Sequence, residues 1–182
     1  QHIQYMQSWF KCLLRPFQFF VSVPILWSSL TYAVAAGSFT AVGVCIPQLF
    51  APPPYAFSPG AQGLFGLSSL LGTVLGGTVG SKLVDVFNAY MQKRRYQKDL
   101  DHKPEERLLM LVLPFCTCTT GLVIYGVTVQ DHLIWVGPAA GYAIHSFGFA
   151  TLASITYSYA VDSYIVRSGE VMVFNNTLRA LI

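Results

Sequence analysis

Between Pro16 and Ser81 the chain carries no Asp, Glu, Lys or Arg. That feature alone removes most folds. A helix or strand of a water-soluble domain turns one face outward, and that face is charged or polar. Two further charge-free windows run from Leu108 to Gln130 and from His132 to Val161. Each meets or exceeds the roughly 20 residues needed to cross the hydrocarbon of a bilayer. Composition agrees, with 53% of residues hydrophobic and 10% charged, against about 25% charged in a typical soluble domain. The mean hydropathy is +0.50. The expected fold class is an all-α polytopic membrane protein, because a helix satisfies its own backbone hydrogen bonds in lipid. The basic run at 93–95 does not make such a chain a nucleic-acid binder.

Punctuation divides the windows. Residues 1–16 form a polar arm in which Trp9, Lys11 and Arg15 read as interfacial anchors. Residues 17–182 form the membrane region. Its spans are expected at 24–49, 63–86, 108–129 and 133–160, with a partial fifth from 171. Pro24 opens the first and Pro47 lies near its close. Pro52, Pro53 and Pro54 then make a stiff, uncharged turn. Residues 87–107 are the one strongly polar segment and read as a loop. Gln1 is not Met and Ile182 lies within an apolar segment, which reads as a piece of a longer chain or a truncated gene model.

Charge sets the expected orientation. Lys and Arg occur before the first span, at 93–107, and at Arg167, whereas the alternate loops 50–62 and 130–132 have none. By the positive-inside rule the arm, the 87–107 loop and the 162–170 segment face the cytoplasm. The sequon Asn175-Asn176-Thr177 then lies near a cytoplasmic helix end and escapes glycosylation.

Within the second span Gly72, Gly76 and Gly80 recur every four residues, one smooth stripe along a helix face that lets another backbone approach. Gly137 and Gly141 form a second such pair. The four cysteines include Cys116 and Cys118, whose spacing points them to different faces of a helix. They do not form a metal pair. Cys12 is a juxtamembrane candidate for palmitoylation. No cofactor or metal constellation is legible. The four histidines are scattered in depth, which argues against a membrane-embedded enzyme. His145 is the ionisable residue deep in a span, and Arg179 needs a partner or an aqueous cavity. Trp27, Tyr32, Phe39, Phe147 and Tyr157 are aromatics suited to organic or cationic solutes through stacking and cation–π contact. With His145 and Arg179 they make up a candidate substrate or proton cavity.

Three motifs carry a family resemblance. Gly80-Ser81-Lys82-Leu83-Val84-Asp85 followed by Lys93-Arg94-Arg95 resembles the loop motif of the major facilitator superfamily, in the copy between the eighth and ninth helices. Pro104-Glu105-Glu106-Arg107-Leu108 resembles the Pro-Glu-x-Arg-Leu element of fungal members related to drug:proton antiporters. Tyr159-Ala160-Val161-Asp162-Ser163-Tyr164, then Gly169-Glu170-Val171-Met172-Val173 and Arg179, resemble the end of their tenth helix and the start of the eleventh. The sequence departs at Val86-Phe87 and at Ala180. The resemblance implies a partial C-terminal six-helix bundle, helices seven to ten and part of eleven. It also implies a secondary active transporter that moves a small organic solute by alternating access, with proton coupling as an option. The partners implied are the lipid bilayer, that solute and a missing N-terminal bundle, without which the chain is expected to be inactive. A cytoplasmic gate is expected from Gly80 and Asp85 with Lys93, Arg94, Arg95, Glu105, Arg107 and Asp162. The protein is expected in the plasma membrane or an internal membrane. The competing expectation is a non-transporting tetraspan scaffold or a degenerate gene product.

Overall fold

The computed structural model describes residues 23–96, 110–132, 134–163 and 168–181. Among them every regular element is helical. Helix α1 spans Val23–Phe50 and α2 spans Pro59–Leu75. A π-helical turn, Gly76–Gly80, joins α2 without a break to α3, Ser81–Tyr96. Then come α4 (Val112–Gln130), α5 (Val136–Ser163) and α6 (Ser168–Leu181). Among the described residues three segments are long and apolar enough to cross a membrane: Ile25–Phe50, Pro59–Tyr90 and Val112–Gln130. At 28 residues and about 1.5 Å per residue, α5 has the length to cross as well, but His145 and a series of Ser, Thr and Tyr residues make it more polar. The chain is a multi-pass integral membrane protein.

Several helix limits differ from expectation. The segment expected as a loop from residue 87 stays helical to Tyr96. Nothing from Phe87 to Tyr96 breaks a helix, so the change in polarity marks the exit from lipid and not the end of the element. At α4 the helix begins at Val112, with Leu111 as its N-cap, although apolar sequence starts at 108. That places Pro114 in the first turn, where a missing N–H is tolerated. At the opposite end of the molecule Ser58 caps α2, its Oγ accepting from Ala61 N at 3.4 Å. Pro59 occupies the first helical position, which suits its fixed φ. Phe50 closes the α1–α2 turn by packing on Tyr55 and Phe65, with ring centroids 4.8 and 4.7 Å away.

Helix α5 is the central axis, in contact with α1, α2, the π turn, α3, α4 and α6. Glycine explains how the neighbours come so close. A Cβ at Gly72 would strike the Ala143 carbonyl, one at Gly76 the Phe147 carbonyl, and one at Gly80 the Thr151 side chain. Each four-residue step in α2 is matched by four in α5, so these helices run parallel. On the other flank, Gly141 lies against the Tyr125 backbone, Gly121 against His145, and Gly148 against Thr117 and Cys118. That order makes α4 and α5 antiparallel. Gly137 sits against Thr128. Gly77, by contrast, has nothing within 4 Å of a Cβ.

The outward face of α2 is the inverse of a soluble surface. Leu64, Leu67, Leu70, Leu71 and Val74 are all more than half exposed, while Phe65, Ser69 and Gly72 face inward. Ile25, Val171 and Phe174 join α1 to α6. Together the contacts orient α1, α4 and α6 one way and α2, α3 and α5 the other. The N-terminal ends of α1, α4 and α6 therefore share one side of the molecule with the C-terminal ends of α3 and α5.

Candidate functional site

Helices α1, α5 and α6 meet at a cluster of polar and aromatic side chains. Arg179 Nη1 donates to Tyr32 Oη at 3.3 Å. The Tyr157 hydroxyl has one hydrogen and two acceptors, Tyr32 Oη at 3.2 Å and Asn176 Oδ1 at 3.4 Å. One turn nearer the start of α1, Ser29 Oγ donates to Asn175 Oδ1. The register is regular: Ser29 and Tyr32 are three apart on α1, and Asn175 and Arg179 are four apart on α6. Two parallel helices thus present successive polar pairs to each other.

Aromatic rings extend the cluster along α1 and α5. Tyr32 lies 6.0 Å from Phe149 and nearly parallel to it at 13°. Phe39 stacks on the other part of Phe149 at 4.9 Å and 15°. Tyr32 is buried, Phe39, Phe149 and Tyr157 are half-buried, and Asn176 and Arg179 are exposed. The cluster is therefore rooted among the helices and open at its polar end. The guanidinium uses one of several N–H donors on Tyr32, and its described partner is a neutral hydroxyl.

His145 is fully buried and both of its nitrogens are engaged by protein. Nδ1 lies 3.2 Å from the Cys118 carbonyl oxygen, which can only accept, so Nδ1 carries the hydrogen. Nε2 lies 3.4 Å from Ser38 Oγ. That hydroxyl also reaches the Ala35 carbonyl at 2.8 Å, so it can turn toward either acceptor. His145 ties α1, α4 and α5 together, and no ring nitrogen is turned toward a solute.

The remaining sequence candidates divide. Trp27 is 62% exposed and shares the outer face of α1 with Leu30 and Val34, away from Tyr32 and Phe39. Phe147 is half-buried, and its backbone faces Gly76. Cys118 is buried and Cys116 exposed, on different faces of α4. Asp85 and Lys93 are both exposed on α3. They are eight residues apart, about 12 Å along a continuous helix, so they do not pair with each other. Any gate contact of Asp85 must come from another element. Glu105, Arg107 and Cys12 lie outside the described residues, as do the side chains of Arg94, Arg95 and Asp162.

Several residues of the cluster carry no signature in the sequence. Phe149 and Ser29 sit among many similar residues and no local pattern marks them, while Asn175 and Asn176 are legible only as a sequon. Arg179 is the available signal: a cation in an apolar helix requires neighbours, and these are the residues that supply them. At the π turn, Thr151 Oγ1 donates to Phe147 O at 2.9 Å or to Gly76 O at 3.3 Å. The widened backbone thus shares a hydroxyl with α5.

Comparison with known proteins follows the same direction. The chain is 28% identical over 167 residues to an uncharacterised transporter of Schizosaccharomyces pombe, covering 91% of this chain and 33% of that protein. It is 30% identical over 155 residues to the MFS transporter fsa7 of a Fusarium species, covering 85% of this chain and 29% of the relative. It is 27% identical over 172 residues to Polyamine transporter 2 of Saccharomyces cerevisiae, covering 93% and 26%. The chain thus spans about a third or less of the length of the curated relatives it matches. These relatives are transporters, not enzymes. No protein-family model and no solved structure matches the chain.

Proposed function

Because the chain is homologous to a stretch of fungal major facilitator transporters, we propose that it forms part of a secondary active transporter. That transporter moves a small organic solute across a membrane by alternating access. The observation that carries this reading is the cluster of Tyr32, Tyr157, Asn176, Arg179, Phe39 and Phe149 on three helices. A polar group among membrane helices is stable only with partners or water. This cluster has partners on its buried side and an open polar end.

In this reading the ends of α3 and α5 and the starts of α1, α4 and α6 face the cytoplasm, following the basic residues. Asp85 and the basic residues after it form contacts with a second helix bundle in one transport state and release them in the other. The pathway lies between two bundles, so this chain alone does not transport. A polyamine, the solute class in the name of one relative, is a polycation and would meet Arg179 with like charge at this cluster.

The test is a chimera in which this chain replaces the matching stretch of Polyamine transporter 2, assayed beside the chain alone in proteoliposomes. The chimera is expected to move an organic solute and the chain alone none. Transport by the chain alone would overturn the two-bundle reading. A chimera that reaches the membrane and moves no solute would overturn the transport reading.

A further inference from the structure

We propose that the α1–α5–α6 cluster binds a planar aromatic organic anion, with its acidic group on Arg179 and its ring beside Phe149. The proposal deepens the transporter reading and rests on it for the word substrate, but its binding test stands apart from transport. Charge comes first. Arg179 is exposed, its described partner is the neutral Tyr32 hydroxyl, and its remaining N–H donors suit the forked geometry of a carboxylate. Tyr157 and Asn176 stand beside it and add an O–H and an amide that can hydrogen-bond the same group or a ring substituent. A cation placed there would face the guanidinium.

Shape comes second. Tyr32, Phe149 and Phe39 lie within 15° of parallel in successive pairs, so a flat ring enters alongside flat rings by offset stacking. Phe39 and Phe149 are half-buried and leave part of their surface open. A third observation points the same way. Asn175 is 1% exposed and its amide nitrogen has no partner among the described residues. Rotating the amide by half a turn only moves the deficit to the oxygen, since Ser29 is its described side-chain partner. One polar end of Asn175, on the same face of α6 as Arg179, remains to be satisfied, and a buried amide group is normally paired.

The test uses the chain in lipid nanodiscs and three probes of one shape: 1-naphthoate, 1-naphthalenemethanol and 1-naphthylmethylammonium. Binding is read by calorimetry. The expected order is anion tightest, with the cation weakest. Arg179→Gln is expected to weaken naphthoate about tenfold or more, the scale of a charge-assisted pair, and to weaken the neutral alcohol by a much smaller factor. Because Arg179 is exposed, this variant keeps its fold, and circular dichroism verifies that. Phe149→Leu is expected to weaken all three probes by a similar factor.

Cation binding equal to anion binding, an anion preference untouched by Arg179→Gln, or no binding of any probe would overturn the proposal. The expected binding pattern together with a transport-silent chimera would sink the transporter reading and leave this one standing. A chimera that carries cations independently of Arg179 would do the reverse.

Discussion

Arg179 on α6 donates to the phenol oxygen of Tyr32 on α1 at 3.3 Å, across 147 positions of sequence. A guanidinium nine residues past Glu170 is thereby held, among the described residues, against a neutral hydroxyl. The aromatic residue that holds it also packs on Phe149 and Tyr157. Removing either member disturbs a group shared by three helices.

Tyr32→Phe and Tyr157→Phe therefore each remove a hydroxyl from one connected set. Each is expected to cost about 1 kcal/mol of stability. Because they share a bond, the double variant is expected to lose less than the two single losses added, by at least about 0.5 kcal/mol. Denaturant titration of the chain in mild detergent measures this, and strict additivity would show that the two hydroxyls are independent.

The Ser29–Asn175 pair tests whether buried polarity between α1 and α6 is structural. Ser29→Ala leaves the Asn175 amide with no described side-chain partner and is expected to cost about 1–3 kcal/mol. Adding Asn175→Leu to Ser29→Ala replaces both polar groups and is expected to recover most of that loss. Failure to recover would mean that Asn175 has a partner beyond Ser29. Asn175 is also the acceptor of the sequon and is almost fully buried.

The glycines of the π turn make a sharper contrast. Gly76→Ala sets a methyl against the Phe147 backbone and is expected to destabilise by about 1–3 kcal/mol. Gly77→Ala, one position on, meets nothing within 4 Å and is expected to be neutral or stabilising by up to about 1 kcal/mol through helix propensity. Thermal unfolding of the two variants side by side decides it, and equal melting temperatures would remove the close approach of α2 and α5.

Topology has its own assay. In a chain with its native cysteines replaced by serine, Ser58→Cys is expected to react with a membrane-impermeant maleimide on intact cells. Lys93→Cys is expected to react only after permeabilisation, since the basic side faces inward. The reverse pattern would invert the chain.

What can be read from sequence follows from what lipid forbids. The absence of charge between Pro16 and Ser81 leaves helices as the available element, and the four-residue recurrence of Gly72, Gly76 and Gly80 marks a face before its partner is known. Which helix fills that face is not legible, because Ala143 and Phe147 carry no mark of the contact; it is their backbone that touches. The π turn is equally hidden, since its glycines read as part of an ordinary helix. Sequence places the end of α3 too early because hydropathy reports the water boundary, whereas the helix continues to Tyr96. Trp27 resembles a cavity aromatic by type, but its position relative to Tyr32 turns it to the outer face of α1. Arg179 announces that it needs company, and only the fold names Tyr32.

The two glycine seams bear on how α5 can move. Ala143, Phe147 and Thr151 meet α2 and the π turn, while Gly141, His145 and Gly148 meet α4, on nearly opposite sides of one cylinder. Hydrogen bonds cross both seams, Ser146 to Ser69 on one flank and His145 to the Cys118 carbonyl on the other. Turning or sliding α5 would therefore disturb two neighbours at once, and the three helices are coupled as a single unit that carries the basic end with it.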